Sequence, residues 1–493
     1  MNALHRDLEI LVLKTEANYQ EAKKKYRLKF HLMPKVGWLN DPNGLCQYQG
    51  IYHVFFQYSP FNVKGGVKTW GHYTSKDLLC WDYEGVSLLP DQPFDCHGVY
   101  SGSALIDHGN MELFYTGNIK YDGDFDYILE GRASNTIRII SKDGKHFGRK
   151  QLLLKNSDYP KDYTCHIRDP KVWKDEQNYW MVLGARRKED KGAVILYQSE
   201  DKLHWEFKKE ISTKKTFGYM WECPDIFELD NTAILSISPQ GLTSKEFCFQ
   251  NLYQSGYFVT KEGTSVSEFC NNVAIISMQE EDFCEWDMGF DFYAPQTFED
   301  EKGRRILIGW AGMPDVEDYD NQPTIEENWQ HALTVPRQLK RKGTKVLQYP
   351  VKELLALRRE QRELLEEQSY PIENGCFDLE VENPEGNDIS IELDEDFCFQ
   401  YNTKECDTEE NGQIASISFE GEMGRGRKIR QAKTEKVTHV RILADISLLE
   451  IYLNYGETVF TTRYYPQRET VILKIKKGGK KNNIWTIENK KEG

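Results

Sequence analysis

Ser75-Lys76-Asp77-Leu78-Leu79-Cys80-Trp81 recurs as Ser141-Lys142-Asp143-Gly144-Lys145-His146-Phe147 and again as Ser199-Glu200-Asp201-Lys202-Leu203-His204-Trp205. The shared form is Ser-x-Asp-x-x-x-aromatic, repeated at about 60 residues. From His31 to about Leu347, short apolar runs alternate with turns rich in Gly, Asp, Asn and Ser, and no long helical period appears. A period of that length in all-β sequence predicts a propeller with one four-stranded blade per repeat. About 310 residues at this spacing make five blades.

Five distinctive segments fall on the same period: Asn40-Asp41, Ser101-Gly102-Ser103, Arg168-Asp169-Pro170, Trp221-Glu222-Cys223-Pro224 and Tyr293-Ala294-Pro295-Gln296. If each opens the innermost strand of its blade, all five converge on one end of the central channel and form an acidic funnel. Asn40-Asp41-Pro42-Asn43-Gly44 reads as a turn, with Pro42 fixing its own φ and Gly44 free to take a positive one. That reading places Asp41 at a strand start, its carboxylate held by the amides of the turn.

Outside this region the pattern changes. Residues 1–25 read as one amphipathic helix capping the next domain, and 26–349 as the propeller. Residues 350–369, with Val351, Leu354, Leu355, Leu357, Leu364 and Leu365 among Arg and Glu, read as a linker helix. Residues 370–493 return to alternating strands, such as 389–393, 414–419 and 449–453, and predict a β-sandwich. The fold class is therefore all-β: a five-bladed β-propeller followed by a C-terminal β-sandwich, with a short N-terminal helix.

Composition narrows function. A net charge of −15 argues against a nucleic-acid footprint or an anionic membrane surface as partner. No apolar run approaches the ~20 residues of a membrane span. The N-terminal segment lacks an apolar signal-peptide core. Eleven scattered cysteines, with no Cys-x-x-Cys pair, read as reduced thiols. The expectation is a cytoplasmic protein with no metal and no cofactor. Aromatic residues make up 13% of the chain, which suits sugar stacking where they line a cleft.

Three acidic residues in one funnel suggest glycoside hydrolysis, which needs one ionised carboxylate and one proton-bearing carboxyl across the scissile bond. Asp41 suits the ionised role. Glu222, flanked by Met220, Trp221, Cys223 and Pro224, suits the acid, because apolar neighbours penalise its charged form. Asp169 follows Arg168, whose charge should keep it ionised to bind sugar hydroxyls. Taken singly, Arg168-Asp169-Pro170 also fits a salt-bridged turn, and Trp221-Glu222-Cys223 a strand end with one buried Glu.

The run from His31 to Gly44, His-x-x-Pro-x-x-x-x-Leu-Asn-Asp-Pro-Asn-Gly, resembles the signature of glycoside hydrolase family 32, the β-fructofuranosidases. Arg168-Asp169-Pro170 and Glu222-Cys223 match that family's other two acidic motifs in order and spacing. The resemblance spans about Tyr26 to Pro350. It implies retention of configuration, with Asp41 as nucleophile, Glu222 as acid/base and Asp169 as transition-state stabiliser. It also implies substrate contacts at Trp38, Leu39, Asn40, Gln57, Trp70, Tyr100, Ser101, Arg168 and Trp310. Residues 218–225, 238–241, 289–296 and 329–337 are similar to the family's bacterial sucrose-6-phosphate hydrolases. Leu39 stands where Met is commoner. In the sandwich, Asp445-Ile446-Ser447-Leu448-Leu449-Glu450 follows the family's Asp-Arg-Ser-Ser-x-Glu pattern loosely, with Ile446 in place of Arg. The expected small-molecule partner is sucrose or its 6-phosphate; Lys64, Lys68 and Arg138 are candidates for a phosphate contact by charge alone. Two alternatives stand beside this: a fructan hydrolase of the same chemistry, and a catalytically silent sugar-binding propeller.

Overall fold

The structure, a computed structural model, describes residues 2–19, 24–127, 129–271, 276–403 and 412–488. Five sheets occupy residues 37–350. Their first strands are β1 (Gly37–Tyr48), β2 (Val99–Asp107), β3 (Tyr163–Lys174), β4 (Met220–Leu229) and β5 (Tyr293–Glu299). These strands neighbour one another in ring order, with β5 returning to β1. The arrangement is the expected propeller. Closure comes from Trp329–Gln330, which pairs in parallel with Gly37 and Trp38, so the first sheet carries a strand from the end of the ring.

The repeated heptapeptide is a turn built by side chains. The Ser75 hydroxyl accepts from Leu78 N, and Asp77 Oδ1 accepts from Leu79 N and Cys80 N. Ser141 and Asp143 bind Gly144, Lys145 and His146 in the same way, and Ser199 and Asp201 bind Lys202, Leu203 and His204. The fourth residue has positive φ in all three copies: Leu78 at 63°, Gly144 at 74° and Lys202 at 64°. Asx- and Ser-turn chemistry of this kind is local, so it leaves a legible mark in sequence.

The funnel segments differ from a turn reading. Asn40 to Gly44 lie inside β1, where the register against the neighbouring strand slips between Leu39 and Pro42. The same slip occurs at Tyr100/Gly102 in β2, opposite Gly184 in β3, at Glu222/Asp225 in β4 and at Tyr293/Gln296 in β5. Every inner strand therefore carries a bulge at its funnel segment. Four of the five bulges hold a proline: Pro42, Pro170, Pro224 and Pro295. Proline cannot donate to a ladder and is tolerated where the ladder is broken.

Residues 358–487 supply two six-stranded sheets that face each other across one apolar core, including Leu379, Ile391, Phe399, Ile417, Ile442 and Ile451. This is the expected sandwich. The linker helix is not formed. Lys352–Leu357 is a short 3-10 segment, and Arg358–Glu363 is an edge strand paired with Lys481–Ile487. Its Arg-Arg-Glu-Gln-Arg-Glu sequence has good helix propensity, but the open edge of the sandwich offers ladder partners, and tertiary pairing overrides a weak local preference.

The N-terminal helix, α1, spans Ala3–Ala17, shorter than the 1–25 expected; residues 1 and 20–23 lie outside the described residues. Asn2 caps it, and Glu16 at its far end accepts from the Tyr58 and Tyr83 hydroxyls on the first sheet.

The two domains are joined by buried charge. His31 donates to Asp445 through Nδ1 and to Glu450 through Nε2, both at 2.8 Å. Arg337 donates to the other Glu450 oxygen at 3.0 and 2.6 Å and pairs with Asp287. The loosely matched sandwich motif thus has a role: Asp445 and Glu450 lock the sandwich to the propeller.

Candidate active site

Strand alternation and the bulges aim the acidic side chains at one point. Asp41 Oδ1 accepts from Asn40 at 3.0 Å; Oδ2 accepts from the Ser101 hydroxyl and from Gln57 at 3.3 Å. The amides of the following residues do not hold this carboxylate, contrary to the sequence reading. Asn43 instead braces the bulge, donating to Asp41 O and accepting from Gly102 N. Asp169 adopts φ of 63°, its N–H donates to Thr116, and its Oδ2 accepts from Cys223 N at 2.9 Å. Cys223, also at positive φ, places Sγ 3.8 Å from Asp41 Oδ2 and 3.7 Å from Asp169 Oδ2. Glu222 precedes it. Its Oε1 accepts from Arg168 at 3.0 and 2.6 Å, and its Oε2 from Gln240 at 2.9 Å and Tyr293 at 2.6 Å.

Two electrostatic expectations change. Arg168 lies beside Asp169 in sequence but forks onto Glu222, and Asp169 is pushed up to about 7. Burial is the largest cause; Arg168 opposes it, and the charges of Glu222 and Asp41 add to it. Asp41 is also raised, first by burial and then by Glu222, against the hydrogen bonds of Ser101 and Asn40. Glu222 is not enclosed by its apolar chain neighbours. Trp221 is fully buried in the core between sheets, and the carboxylate meets Arg168, Gln240 and Tyr293.

Asn40, Gln57, Ser101 and Arg168 therefore join Asp41, Asp169 and Glu222 around one centre. Trp38 stands beside them, its Nε1 donating to Asn40 at 2.9 Å, and Tyr100 is half-buried on the neighbouring strand. Leu39 and Trp70 do not reach the funnel. Both are 0% exposed: Leu39 alternates to the opposite face of β1, and Trp70 packs against Phe55 and Tyr115. Trp310, 2% exposed, backs Trp38 and Tyr293. Tyr293 and Gln240 were missed as Glu222 partners, although both stand in segments that the sequence had already marked.

Of the cationic candidates, Arg138 is consumed by Glu112 on an adjacent strand. Lys64 is exposed. Lys68 is half-buried beside Trp38, donates to Asn40 Oδ1 at 2.9 Å, and is lowered by desolvation to about 7, with Asp41 opposing. Among the described residues, no group of His, Cys, Asp and Glu could hold a metal ion.

A site with three convergent carboxyls and an arginine that donates twice to one of them has the parts for glycosyl transfer. Known proteins carry the same arrangement of domains. The family model for the glycosyl hydrolases family 32 N-terminal domain matches residues 31–350, and that for the C-terminal domain matches 383–489. Sucrose-6-phosphate hydrolase of Bacillus subtilis is 37% identical over 95% of this chain and 97% of its own length. The structure of sucrose-6-phosphate hydrolase from Lactobacillus gasseri superposes with a TM-score of 0.84 at 28% identity, covering 97% of this chain and 96% of that one. A mutant of Bombyx mori β-fructofuranosidase in complex with sucrose gives 0.81 at 28% identity, covering 99% and 98%. With both domain models matched in order over the propeller and the sandwich, the chain belongs to glycosyl hydrolase family 32.

Proposed function

We propose that this chain is a retaining β-fructofuranosidase acting on sucrose and sucrose 6-phosphate in the cytoplasm. The observation that carries the reading is that Asp41 and Asp169 meet at the Cys223 thiol while Glu222, the residue before Cys223, takes two hydrogen bonds from Arg168. In the first half-reaction Asp41 attacks the anomeric carbon of the fructosyl unit. The carbon–oxygen bond to glucose breaks, and Glu222 gives its proton to the departing oxygen. Asp41 Oδ1, which among the described residues accepts from Asn40 alone, is the attacking oxygen, while Oδ2 is held by Ser101 and Gln57. In the second half-reaction Glu222 takes a proton from water, which attacks the fructosyl ester and frees Asp41. Asp169 binds fructosyl hydroxyls as positive charge develops on the ring.

This chemistry requires the Asp41 and Glu222 carboxyls to stand about 5–5.5 Å apart, because no water sits between nucleophile and sugar. A phosphorylated sugar does not cross a bilayer unaided, which supports the cytoplasmic assignment, as do the ten free thiols among the described residues. Two assays test the reading. Fructose release from sucrose and from sucrose 6-phosphate should both be detected, and the fructose first released should retain the β configuration by NMR. Release of the α anomer, or no release from either sugar, would overturn it.

A further inference from the structure

On β3, His166 and Arg168 share one face at the two-residue period of a strand. Arg168 reaches into the funnel. His166, 8% exposed, sits directly behind it, with Nδ1 2.6 Å from Arg168 Nη1. A guanidinium has no acceptor, so Nδ1 must be the lone-pair nitrogen and Nε2 must carry the hydrogen. That Nε2 is buried and makes no hydrogen bond, although the Tyr127 backbone lies close by. Two more arginines act on this ring. Arg132, at the head of strand Arg132–Ser141, lies over the Tyr100 ring at 5.3 Å. Arg186, near the end of strand Tyr179–Arg187, lies over the Tyr219 ring at 4.6 Å. Burial and the charges of Arg168, Arg132 and Arg186 together drive His166 down to about 2, so it stays neutral.

Three guanidiniums flank one segment of β3: Arg168 on it, Arg132 on the strand whose Ser134 donates to Cys165 O at 3.0 Å, and Arg186, whose own carbonyl accepts from Thr164 at 3.1 Å; together they call for anions. Arg168 has Glu222, and Arg186 has Asp190, which is largely exposed. Arg132 has no carboxylate within ion-pair distance among the described residues. Its Nε donates to Asn118 Oδ1 at 2.7 Å. The chain as a whole is strongly acidic, so an uncompensated arginine beside an orphaned N–H donor is out of keeping with its surroundings.

We infer that Arg132, Arg186 and His166 form a phosphate site for the leaving sugar of the substrate. The inference rests on the β-fructofuranosidase reading. Glu222 must touch the leaving oxygen, and Arg168 ties Glu222 to His166, so the arginine cluster lies on the leaving-group side of the scissile bond. A sugar phosphate brings a dianion that the Nη edge of Arg132 can bind bidentately and that can compete with the exposed Asp190 for Arg186, while Tyr100 and Tyr219 hold the two arginines in place by their ring faces. Lys68 belongs to a different wall, on Asn40 and Trp38.

The test compares kcat/KM for sucrose 6-phosphate and for sucrose in the wild type, Arg132→Gln, Arg132→Lys and Arg186→Gln. Arg132→Gln should lower the phosphate-to-sucrose ratio about 10- to 100-fold, chiefly through KM, and leave sucrose within about 3-fold. Arg132→Lys should recover part of the loss. Product inhibition by glucose 6-phosphate should weaken in parallel and fall with added salt, while glucose inhibition stays put. If both substrates lose equally, Arg132 merely orders Tyr100 and Asn118, and the inference is wrong. If the wild type cleaves sucrose with no preference for the phosphate ester, the site fails while the fructofuranosidase reading stands. If it cleaves neither, that reading fails first.

Discussion

The backbone N–H of Cys223 donates to Asp169 Oδ2 at 2.9 Å. One bulge therefore does two things: it turns Glu222 toward Arg168, and it offers its next amide to a carboxylate on the neighbouring sheet. The three carboxyls form one electrostatic unit, and the pH dependence of activity should show it.

Burial and mutual repulsion raise both Asp41 and Asp169. A carboxyl whose pKa is raised stays protonated to higher pH, and a protonated Asp41 cannot attack. The acid limb of the kcat/KM profile should therefore lie above the ordinary aspartate value near 3.9. A limb at or below pH 4 would contradict the buried cluster.

The lock between domains should impose its own pH window on stability. His31 is buried, which opposes its charge, but hydrogen bonds from its ring to Asp445 and Glu450 outweigh this and raise it. Its contribution is complete below about 6.5, the unfolded value, and is lost as pH rises through the higher folded one. Glu450 is likewise disfavoured by burial, yet Arg337 and His31 hold it down to about 2. Its contribution is complete above the ordinary glutamate value near 4.3 and is lost as pH falls toward 2. The interface should be strongest between those limits, from about 4.3 to 6.5. Glu450→Gln should cost about 3–5 kcal/mol, because it strands two buried cations. Thermal melts of both proteins across this range decide the matter; an unchanged melting profile in the variant would refute the lock.

Gly184 lies behind the proton donor. A Cβ there would stand 2.2 Å from Trp221 O and 3.3 Å from Glu222 Cα. Its φ is not positive, so Gly184→Ala acts by crowding alone. We expect about 1–3 kcal/mol of destabilisation and a loss in kcat on sucrose larger than the loss in thermal stability implies, since the strand that moves carries Glu222. Full kcat in a folded Gly184→Ala variant would show that Glu222 tolerates displacement.

The range of the forces involved explains what the sequence disclosed and what it concealed. The Ser-x-Asp turns were legible because Ser75 and Asp77 bind amides only two or three residues away. The acidic segments were legible as a periodic set. Their bulged geometry was not, because Pro42-Asn43-Gly44 looks like a turn until Phe55 and Phe56 pair with it from the next strand. Leu39 and Trp70 were expected at the site through the family resemblance, and a motif match does not say which face of its strand a side chain takes; both are fully buried here. The Arg168–Asp169 adjacency misled for a related reason: positive φ at Asp169 turns the two side chains to different partners. The 350–369 segment carried helix-forming residues, and only the distant Lys481–Ile487 strand made part of it β.

The central claim is that Asp41 and Glu222 divide the reaction, one as nucleophile and the other as acid/base. Single-turnover kinetics of Asp41→Asn and Glu222→Gln test it directly, using sucrose and a nitrophenyl fructoside, with and without azide. Asp41→Asn should turn over neither substrate. Glu222→Gln should lose about 10²- to 10⁴-fold on sucrose, whose leaving group needs a proton. It should still release nitrophenolate in the first step, and azide should restore the second, because azide needs no base. The account is contradicted if Glu222→Gln loses both substrates equally and azide restores nothing, while Asp41→Asn keeps appreciable activity on the activated fructoside.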